Sequence, residues 1–416
     1  MPDKANKRFF IPAKNYDIQV TINDLDYSRE VFNVKIVTSL VLPYQNVKFT
    51  VYLDPGDITV EKIYGQTPVK MMIRLLTQDG NERESIIFDL MIINVSHQIP
   101  VRSDKLDSNK QKEIIPVTFT CICRNPFKSM TSVVNKVFVG TTVREILNGI
   151  AGETGVSLQL DSQDLNTTEI EQAVIPPMTL NNAIGYISKN IGVYNGVMGF
   201  TCLYNNILYI KNLSKSIKND QIATIYHLTP DIDNKEIIND SLQKDKSIFY
   251  TFDSIKTHYI GNAIIGKTAR KTIYILKPKD RLYDTEEKDI VTVGMEHGLI
   301  SGGSKMFFDE GAITSSNRVK YNTSQVGMEG DNPLLNSLIA KKLSSMTAIY
   351  FRLFQNILLE KLMKVGSAIK FKTMTKDMLS FSGNYILKST EIIFTRETDW
   401  MSSATIYLVR TNKVYK

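Results

Sequence analysis

Four histidines, His97, His227, His258 and His297, are the imidazoles available for acid–base or metal chemistry. A zinc-protease helix needs two of them one turn apart, as in His-Glu-x-x-His, so that both rings reach one ion. No such spacing occurs. Glu296-His297-Gly298 sets a carboxylate beside an imidazole and reads as an exposed or satisfied loop histidine. A serine nucleophile would lie in Gly-x-Ser-x-Gly and a phosphate cradle in Gly-x-x-x-x-Gly-Lys-Ser/Thr. Neither is present. Ser301-Gly302-Gly303-Ser304-Lys305 copies the cradle's composition without its spacing or its strand–helix frame, and reads as linker. A glycosidase would hold two carboxylates about 5 to 9.5 Å apart on rigid elements. Glu82 and Glu84 fall in a turn and Asp309-Glu310 in a loop-like stretch, so both read as solvated surface. The expectation is a chain with no catalytic residues, no metal site and no cofactor.

Three cysteines cannot make a disulfide framework. Cys121 and Cys123 lie two apart in a strand-like run and share a face, while Cys202 is distant, and the spacing fits no zinc knuckle. Free thiols point to a reducing cytoplasm during synthesis. Trp400, the single tryptophan, reads as a plug at a barrel end or an anchor between domains.

The elements that would position these residues are mostly strands. The 416 residues are 43% apolar and 22% charged, which predicts two to four domains and excludes disorder as the main state. No run of about 18 uncharged apolar residues exists, so no transmembrane helix is expected. The first 17 residues carry positive charge without the apolar core of a signal peptide. The net charge of +7 permits contact with nucleic acid without demanding it, and reads as solvated surface.

Residues 16–25 alternate Ile18, Val20 and Ile22 against polar neighbours, and 31–41 is a second β-rich run. Val47, Phe49, Val51 and Leu53 alternate up to the turn at Asp54-Pro55-Gly56, and Val69, Met71, Ile73 and Leu75 alternate up to Asp79-Gly80. Residues 85–95 and 114–123 complete an antiparallel all-β domain, a barrel or sandwich, over 1–125. The period then changes. Thr142-Val143-Arg144-Glu145 is a capping box, and Val143, Ile146, Leu147 and Ile150 follow at helical spacing. Residues 156–160 read as a short strand. Thr179 reads as a second cap, ahead of a helix carrying Leu180, Ala183, Ile184 and Ile187, and 198–212 reads as a hairpin through Asn205-Asn206. Residues 126–214 are thus a small α+β module. Linking strands and a loop-rich stretch fill 215–333, and a helix from Leu334 leads into a run at 350–362 that suits helix and strand equally. Strands at 365–373, 384–396 and 402–410 then complete a second β-domain over 334–416.

The C-terminal stretch carries Val365-Gly366-Ser367, then Phe381-Ser382-Gly383-Asn384-Tyr385-Ile386-Leu387, then Asp399-Trp400 and Leu408-Val409-Arg410-Thr411-Asn412. It resembles the second tube-like barrel of the central hub proteins of contractile phage baseplates, where the chain turns through Gly-x-Tyr and the last strand ends in Arg-Thr-Asn or similar. The module at 139–213, with a Thr-capped helix, a Leu-Asn-Asn-Ala-Ile helix and a hairpin ending in Leu-Tyr-Ile, is similar to the hub's inserted domain. Leu42-Pro43-Tyr44 leading into Val47 is similar to the opening of its first barrel. The resemblance covers most of the chain in layout and least of 216–333.

It implies a mainly β fold of two tube-type antiparallel β-barrels with an inserted α+β module, and a non-enzymatic role. Hub subunits form a homotrimeric ring that joins the tail tube protein to the central spike protein and adapts their symmetries. Other baseplate proteins surround the ring, DNA crosses it only in transit, and it does not insert into a membrane. The implied location is the virion's tail baseplate, after assembly in the host cytoplasm. Related spike-hub proteins of phage-derived secretion systems share the layout. Rival readings are a tail-tip cell-wall hydrolase and a nucleic-acid-binding β protein.

A channel gives the basic residues a place. Lys370 and Lys372 share one strand face, opposite Ile369 and Phe371. Lys388 and Arg396 run in phase with Ile386, Ile392 and Phe394, and Lys48, Lys70 and Arg74 hold comparable positions in the first domain. Lys370, Lys372, Lys388, Lys48 and Lys70 are the candidate channel-facing residues. A conduit that attracted phosphates strongly would slow the nucleic acid. These cations are therefore expected to be paired with carboxylates or turned outward.

Overall fold

Alternating Val, Ile, Phe and Tyr fit a pleated, half-buried surface, and most of this chain is built that way. The computed structural model describes residues 16–40, 42, 44–53, 66–76, 80–97, 115–162, 165–194, 198–203, 206–212, 221–227, 248–251, 256–260, 272–276, 285–289, 319–321, 346–354, 359–373 and 381–411. The helix expected from Leu334, the Asp54-Pro55-Gly56 turn, His297, Asp309-Glu310 and nearly all of 302–333 lie outside them.

In β1 (Tyr16–Ile22) the alternation is complete: Tyr16, Ile18, Val20 and Ile22 are buried, and the residues between are not. A two-residue β2 (Leu25–Asp26) folds back on it through Asn23 and Asp24, both at positive φ. β3 (Val31–Ser39), β4 (Asn46–Leu53), β5 (Pro68–Leu76), β6 (Glu82–His97) and β7 (Ile115–Cys123) follow. They pair antiparallel throughout, in the spatial order β3-β4-β7-β6-β5-β1.

The chain then forms α1 (Arg124–Thr131), β8 (Val133–Thr141), α2 (Val143–Glu153), β9 (Ser157–Leu160), β10 (Ile170–Thr179), α3 (Leu180–Asn190), β11 (Met198–Cys202) and β12 (Ile207–Asn212). The expected capping box is present: Glu145 N–H donates to Thr142 Oγ1, and Thr142 N–H donates to the Glu145 carboxylate at 2.7 Å. Two details differ from expectation. Thr179 is the N-cap residue of α3 but its hydroxyl makes no cap bond, because Thr179 is also the last residue of β10 and pairs with Val133 there. The β8–β10 ribbon and α1 were not expected. Its Pro176-Pro177 lies where the register shifts between Ile175 and Met178, so the ladder loses no proline N–H it needs. This module has its own core, with Val143, Ile146, Leu147 and Ile150 of α2 against Leu180, Ala183, Ile184 and Ile187 of α3.

The remaining strands are β13 (Gln221–His227), β14 (Ile248–Thr251), β15 (Lys256–Ile260), β16 (Thr272–Leu276), β17 (Thr285–Asp289), β18 (Val319–Tyr321) and β19 (Met346–Phe354). A short α4 (Leu359–Met363) precedes β20 (Ala368–Thr373), β21 (Gly383–Arg396) and β22 (Trp400–Thr411). The ambiguous run at 350–362 thus divides into the end of β19 and α4. β16, β17 and β18 form a small sheet of their own.

The fold is mainly β with an inserted α+β module, as expected, but the two groups of strands are not separate sheets. β21 belongs to both. Along one edge its Gly383–Ile386 segment pairs with β20, and its Ser389–Thr395 segment pairs with β3. Along the other edge it pairs with β22, which in turn pairs with β19. β20 continues in parallel to β13 and β14. The result is a fourteen-stranded sheet over one hydrophobic core, in which Phe49, Phe88 and Phe119 are continuous with Phe371, Tyr385 and Phe394. Tyr16 of β1 meets Phe394 edge-on at 5.0 Å, so the far end of the first group returns to the shared hairpin.

Candidate interaction surface

The five candidate lysines fall on a single face of this sheet, opposite to Phe49, Met71 and Phe371, and that face is itself covered where Ile386 and Val409 are buried on it. Lys48 stands between buried Val47 and Phe49, Lys70 between buried Val69 and Met71, and Lys370 and Lys372 flank buried Phe371. Directly paired residues on neighbouring strands point to the same side. Lys370 is level with Asn384 and Thr224, Lys372 with Tyr226, Ile386 with Val409, and Tyr407 with Ser389 and Tyr350. That row runs on through Ser39 and Lys35 to Lys48.

Lys388 is where the pattern breaks. The β21–β22 register shifts between Leu387 and Ser389, making Lys388 the extra residue of a β-bulge. Before the bulge Tyr385 and Leu387 face the core; after it, Thr390, Ile392 and Phe394 do. The expected phase of Lys388 with Ile392 and Phe394 is therefore incorrect, because the bulge reverses the faces between them. Lys388 lies on the outer face with its ammonium 4.9 Å over the Tyr407 ring, and Tyr407 stacks on Tyr350 at 4.2 Å. Half-burial pushes the Lys388 ammonium below the ordinary lysine range. Arg396, eight residues further along, is instead at the end of the first strand group. Its guanidinium donates to the carbonyls of Ser28 and Arg29 and covers Trp400, which is partly buried against the core.

The charge balance of this face differs between its two halves. In the N-terminal group Lys35 pairs with Glu391 at 2.8 Å beside Lys48, Arg74 Nε donates to Asp17 at 3.0 Å, and Lys70 stands directly opposite Asp89. In the C-terminal group, among the described residues, Lys372 reaches the Tyr226 hydroxyl at 3.3 Å and its ring, and Lys388 the Tyr407 ring. Among the described residues Lys370, Lys372 and Lys388 take part in no ion pair. Lys48 and Lys70 are themselves in no ion pair among the described residues; what separates the two groups is that carboxylates stand beside the first pair of lysines and not beside the other three.

The bulge is also where the α+β module is fastened. Lys388 carbonyl accepts from Leu40 N–H at 3.0 Å, and Leu40 carbonyl accepts from Phe200 N–H of β11 at 2.8 Å. Gly366 N–H donates to Leu387 O at 2.7 Å, and Gly366 lies against Lys211 and Leu40. Lys211 is itself held by Asp161 at 3.2 Å.

Among the described side chains, His227, the three cysteines and Tyr194 are buried and engaged in the core. His227 is buried at the end of β13, its Nδ1 3.4 Å from the Thr373 hydroxyl. Cys121, Cys123 and Cys202 are buried free thiols; burial pushes Cys123 and Cys202 up to about 12 and Cys121 higher still, so all three are protonated at neutral pH. Tyr194 is likewise raised by burial and donates to Ile210 O at 2.9 Å. Among the described residues no three His, Cys, Asp or Glu side chains are placed to share a metal ion. No described helix is long and apolar enough to cross a membrane.

Sequence reasoning missed Tyr226, Tyr350 and Tyr407, because what makes them a set is their pairing across strands distant in the chain. It also passed over the carboxylates of the opposite end, although Glu397-Thr398-Asp399 is visible as an acidic turn.

Solved structures decide what this layout is. The chain superposes on a tail protein from Neisseria meningitidis MC58 with a TM-score of 0.57 at 10% identity, covering 95% of this chain and 97% of that one. It superposes equally on the 43 kDa tail protein of prophage MuSo2 from Shewanella oneidensis, TM-score 0.57 at 9% identity, covering 95% and 98%. The chain has the fold of a phage tail protein. No protein-family model matches it, and no curated protein does. At such identities what is shared is backbone architecture, end to end. The order of strand group, α+β module and closing hairpin is therefore a property of the tail-protein fold and not of this sequence alone.

Proposed function

We propose that the chain is a hub subunit of a contractile phage baseplate: a homotrimeric ring that joins the tail tube to the central spike, adapts their symmetries and leaves a channel for the genome. The observation that carries this is the fold held in common with a tail protein and a prophage tail protein, over 95% of this chain and 97% and 98% of theirs. In the proposed division, residues 1–125 and 334–416 supply the two tube-type barrels, 126–214 the module and 215–333 the link. The ring's work is mechanical and its subunits are not enzymes. Partners are further copies of the chain, the tail tube, the spike and other baseplate proteins, with DNA present only in transit. The virion tail is its place, after assembly in the host cytoplasm.

A continuous sheet suits such a part. A strand contributing to two groups transmits load along its backbone, and a face opposite the core is available for channel or neighbour. The balanced stretch around Lys48 and Lys70 is the part we assign to the channel side, since a face without excess positive charge does not hold passing phosphates. Light scattering tests the ring. A mass of three subunits, alone or on adding the spike protein, is expected; a monomer under both conditions would sink the proposal. Zymography on peptidoglycan supplies the second check, and turnover by the purified chain would move it to the hydrolases.

A further inference from the structure

Three cations of the C-terminal group lack carboxylate partners among the described residues, and the opposite end of the same strand carries the reverse imbalance. Arg396 ends β21 beside the 23–30 turn region, tied to it by the bonds to Ser28 and Arg29. Around that contact Asp24, Asp26, Glu30, Glu397 and Asp399 are all exposed. Against them stand Arg29 and Arg396, and Arg396 is already spent on carbonyls and the Trp400 ring. Asp26 is held below the ordinary carboxylate range by the Ser28 hydroxyl and N–H, so it is charged at neutral pH. From Asn384, level with Lys370, to Arg396 is twelve residues of strand, roughly 40 Å at about 3.3 Å per residue. The two patches cannot meet within one chain.

We infer that the Lys370–Lys372–Lys388 strip of one copy docks on the carboxylate rim of the next copy, Asp26, Glu30, Glu397 and Asp399. This rests on the ring reading above and assigns its subunit boundary. Two different complementary patches make a head-to-tail contact, which closes as a ring when the rotation per copy divides a full turn. The pairing also resolves the problem that unbalanced lysines pose beside a conduit. Once met by a neighbour's carboxylates they no longer attract phosphates, whereas a nucleic-acid site would keep them open. Lys388 fits the boundary in particular, since a half-buried ammonium stacked on Tyr407 gains more from a carboxylate than a fully hydrated one does.

The test uses the full chain and three variants: K370E/K372E, E397K/D399K, and the four changes combined in one chain. Mass by light scattering is followed against protein concentration at low and high salt, with near-UV circular dichroism confirming that each variant is folded. Each double variant is expected to raise the concentration at which the ring dissociates at least tenfold. The combined variant, with both signs exchanged, is expected to recover to within threefold of the wild type. Added salt should loosen the wild-type ring, because screening acts on such exposed pairs. A wild-type trimer indifferent to both double variants would overturn this boundary and leave the ring standing. A wild-type chain monomeric at every concentration, both alone and with the spike protein added, would overturn the ring and the boundary together. Intact rings of K370E/K372E that lose retention on DNA-cellulose, where the wild type is retained, would assign the strip to nucleic acid instead.

Discussion

Gly366 is held between three pieces of chain that are far apart in sequence. Its φ of +87° lies in the left-handed region, and a Cβ there would come within 2.9 Å of Lys211 Cγ and 3.2 Å of Leu40 Cδ2. Lys211 cannot swing aside freely, because its ammonium is bound to Asp161 and Asp161 also accepts from Asn212 N–H. Gly366→Ala should therefore destabilise the protein by about 1–3 kcal/mol, the usual range for a side chain forced into a strained backbone region. Gly152 is the contrasting case. It lies in α2 with no atom within 4 Å of an added Cβ, so Gly152→Ala should be neutral or stabilise by up to about 1 kcal/mol. Urea midpoints measured side by side check the pair, and equal losses at both positions would refute the account of the junction. Neither glycine announces its role in the sequence. The hydrophobic pattern around residue 366 fixes the strand that follows, but Lys211 and Leu40 reach it only in the folded chain.

At the scale of elements, the bulge at Lys388 decides which side chains of β21 meet the core. Side chains alternate with a period of two, and the one extra residue at Lys388 is what carries the core face from Leu387 on to Thr390. Deleting Lys388 should make Leu387 and Ser389 consecutive members of a regular ladder against Leu408 and Tyr407, so that Thr390, Ile392 and Phe394 keep the core face. The deletion variant is therefore expected to fold, with a near-UV signal and a cooperative thermal transition, and to lose the Lys388 carbonyl that accepts from Leu40 N–H. Lys388→Ala keeps that carbonyl and should lose only the contact with Tyr407. A deletion variant that fails to fold would mean that the bulge is not the simple one-residue insertion the register describes. The strand itself was legible, as were β1, β4, β5 and both main helices of the module, because each carries its own period. The bulge was not, since Tyr385, Ile386 and Leu387 are apolar in succession and hide where the alternation changes phase. The β8–β10 ribbon was hidden for a related reason: Pro176-Pro177 argues against a strand unless a register shift accommodates it.

At the scale of the whole molecule, boundaries read from composition and boundaries set by hydrogen bonding need not coincide. The α+β module keeps its core to itself, and its attachments to the sheet are a few bonds around Leu40 and Gly366. The first strand group is different. Seven residues of β3, Asn33 to Ser39, pair with β21, and Phe394 fills the space beside Tyr16. Without the C-terminal hairpin that edge is bare and flanked by apolar residues such as Val34 and Ile36, which is the template on which strands of other chains add. A fragment of residues 124–214 should accordingly fold alone and unfold cooperatively in urea. A fragment of residues 1–125 should aggregate or lack a cooperative transition, although composition alone makes it look the more complete domain. Were 1–125 to stay monomeric and unfold cooperatively, β21 would be an addition to a finished barrel. Failure of 1–125 alone would make the hairpin a closing element on which both strand groups depend, placed where the chain can complete them only after the strands before it have been synthesised.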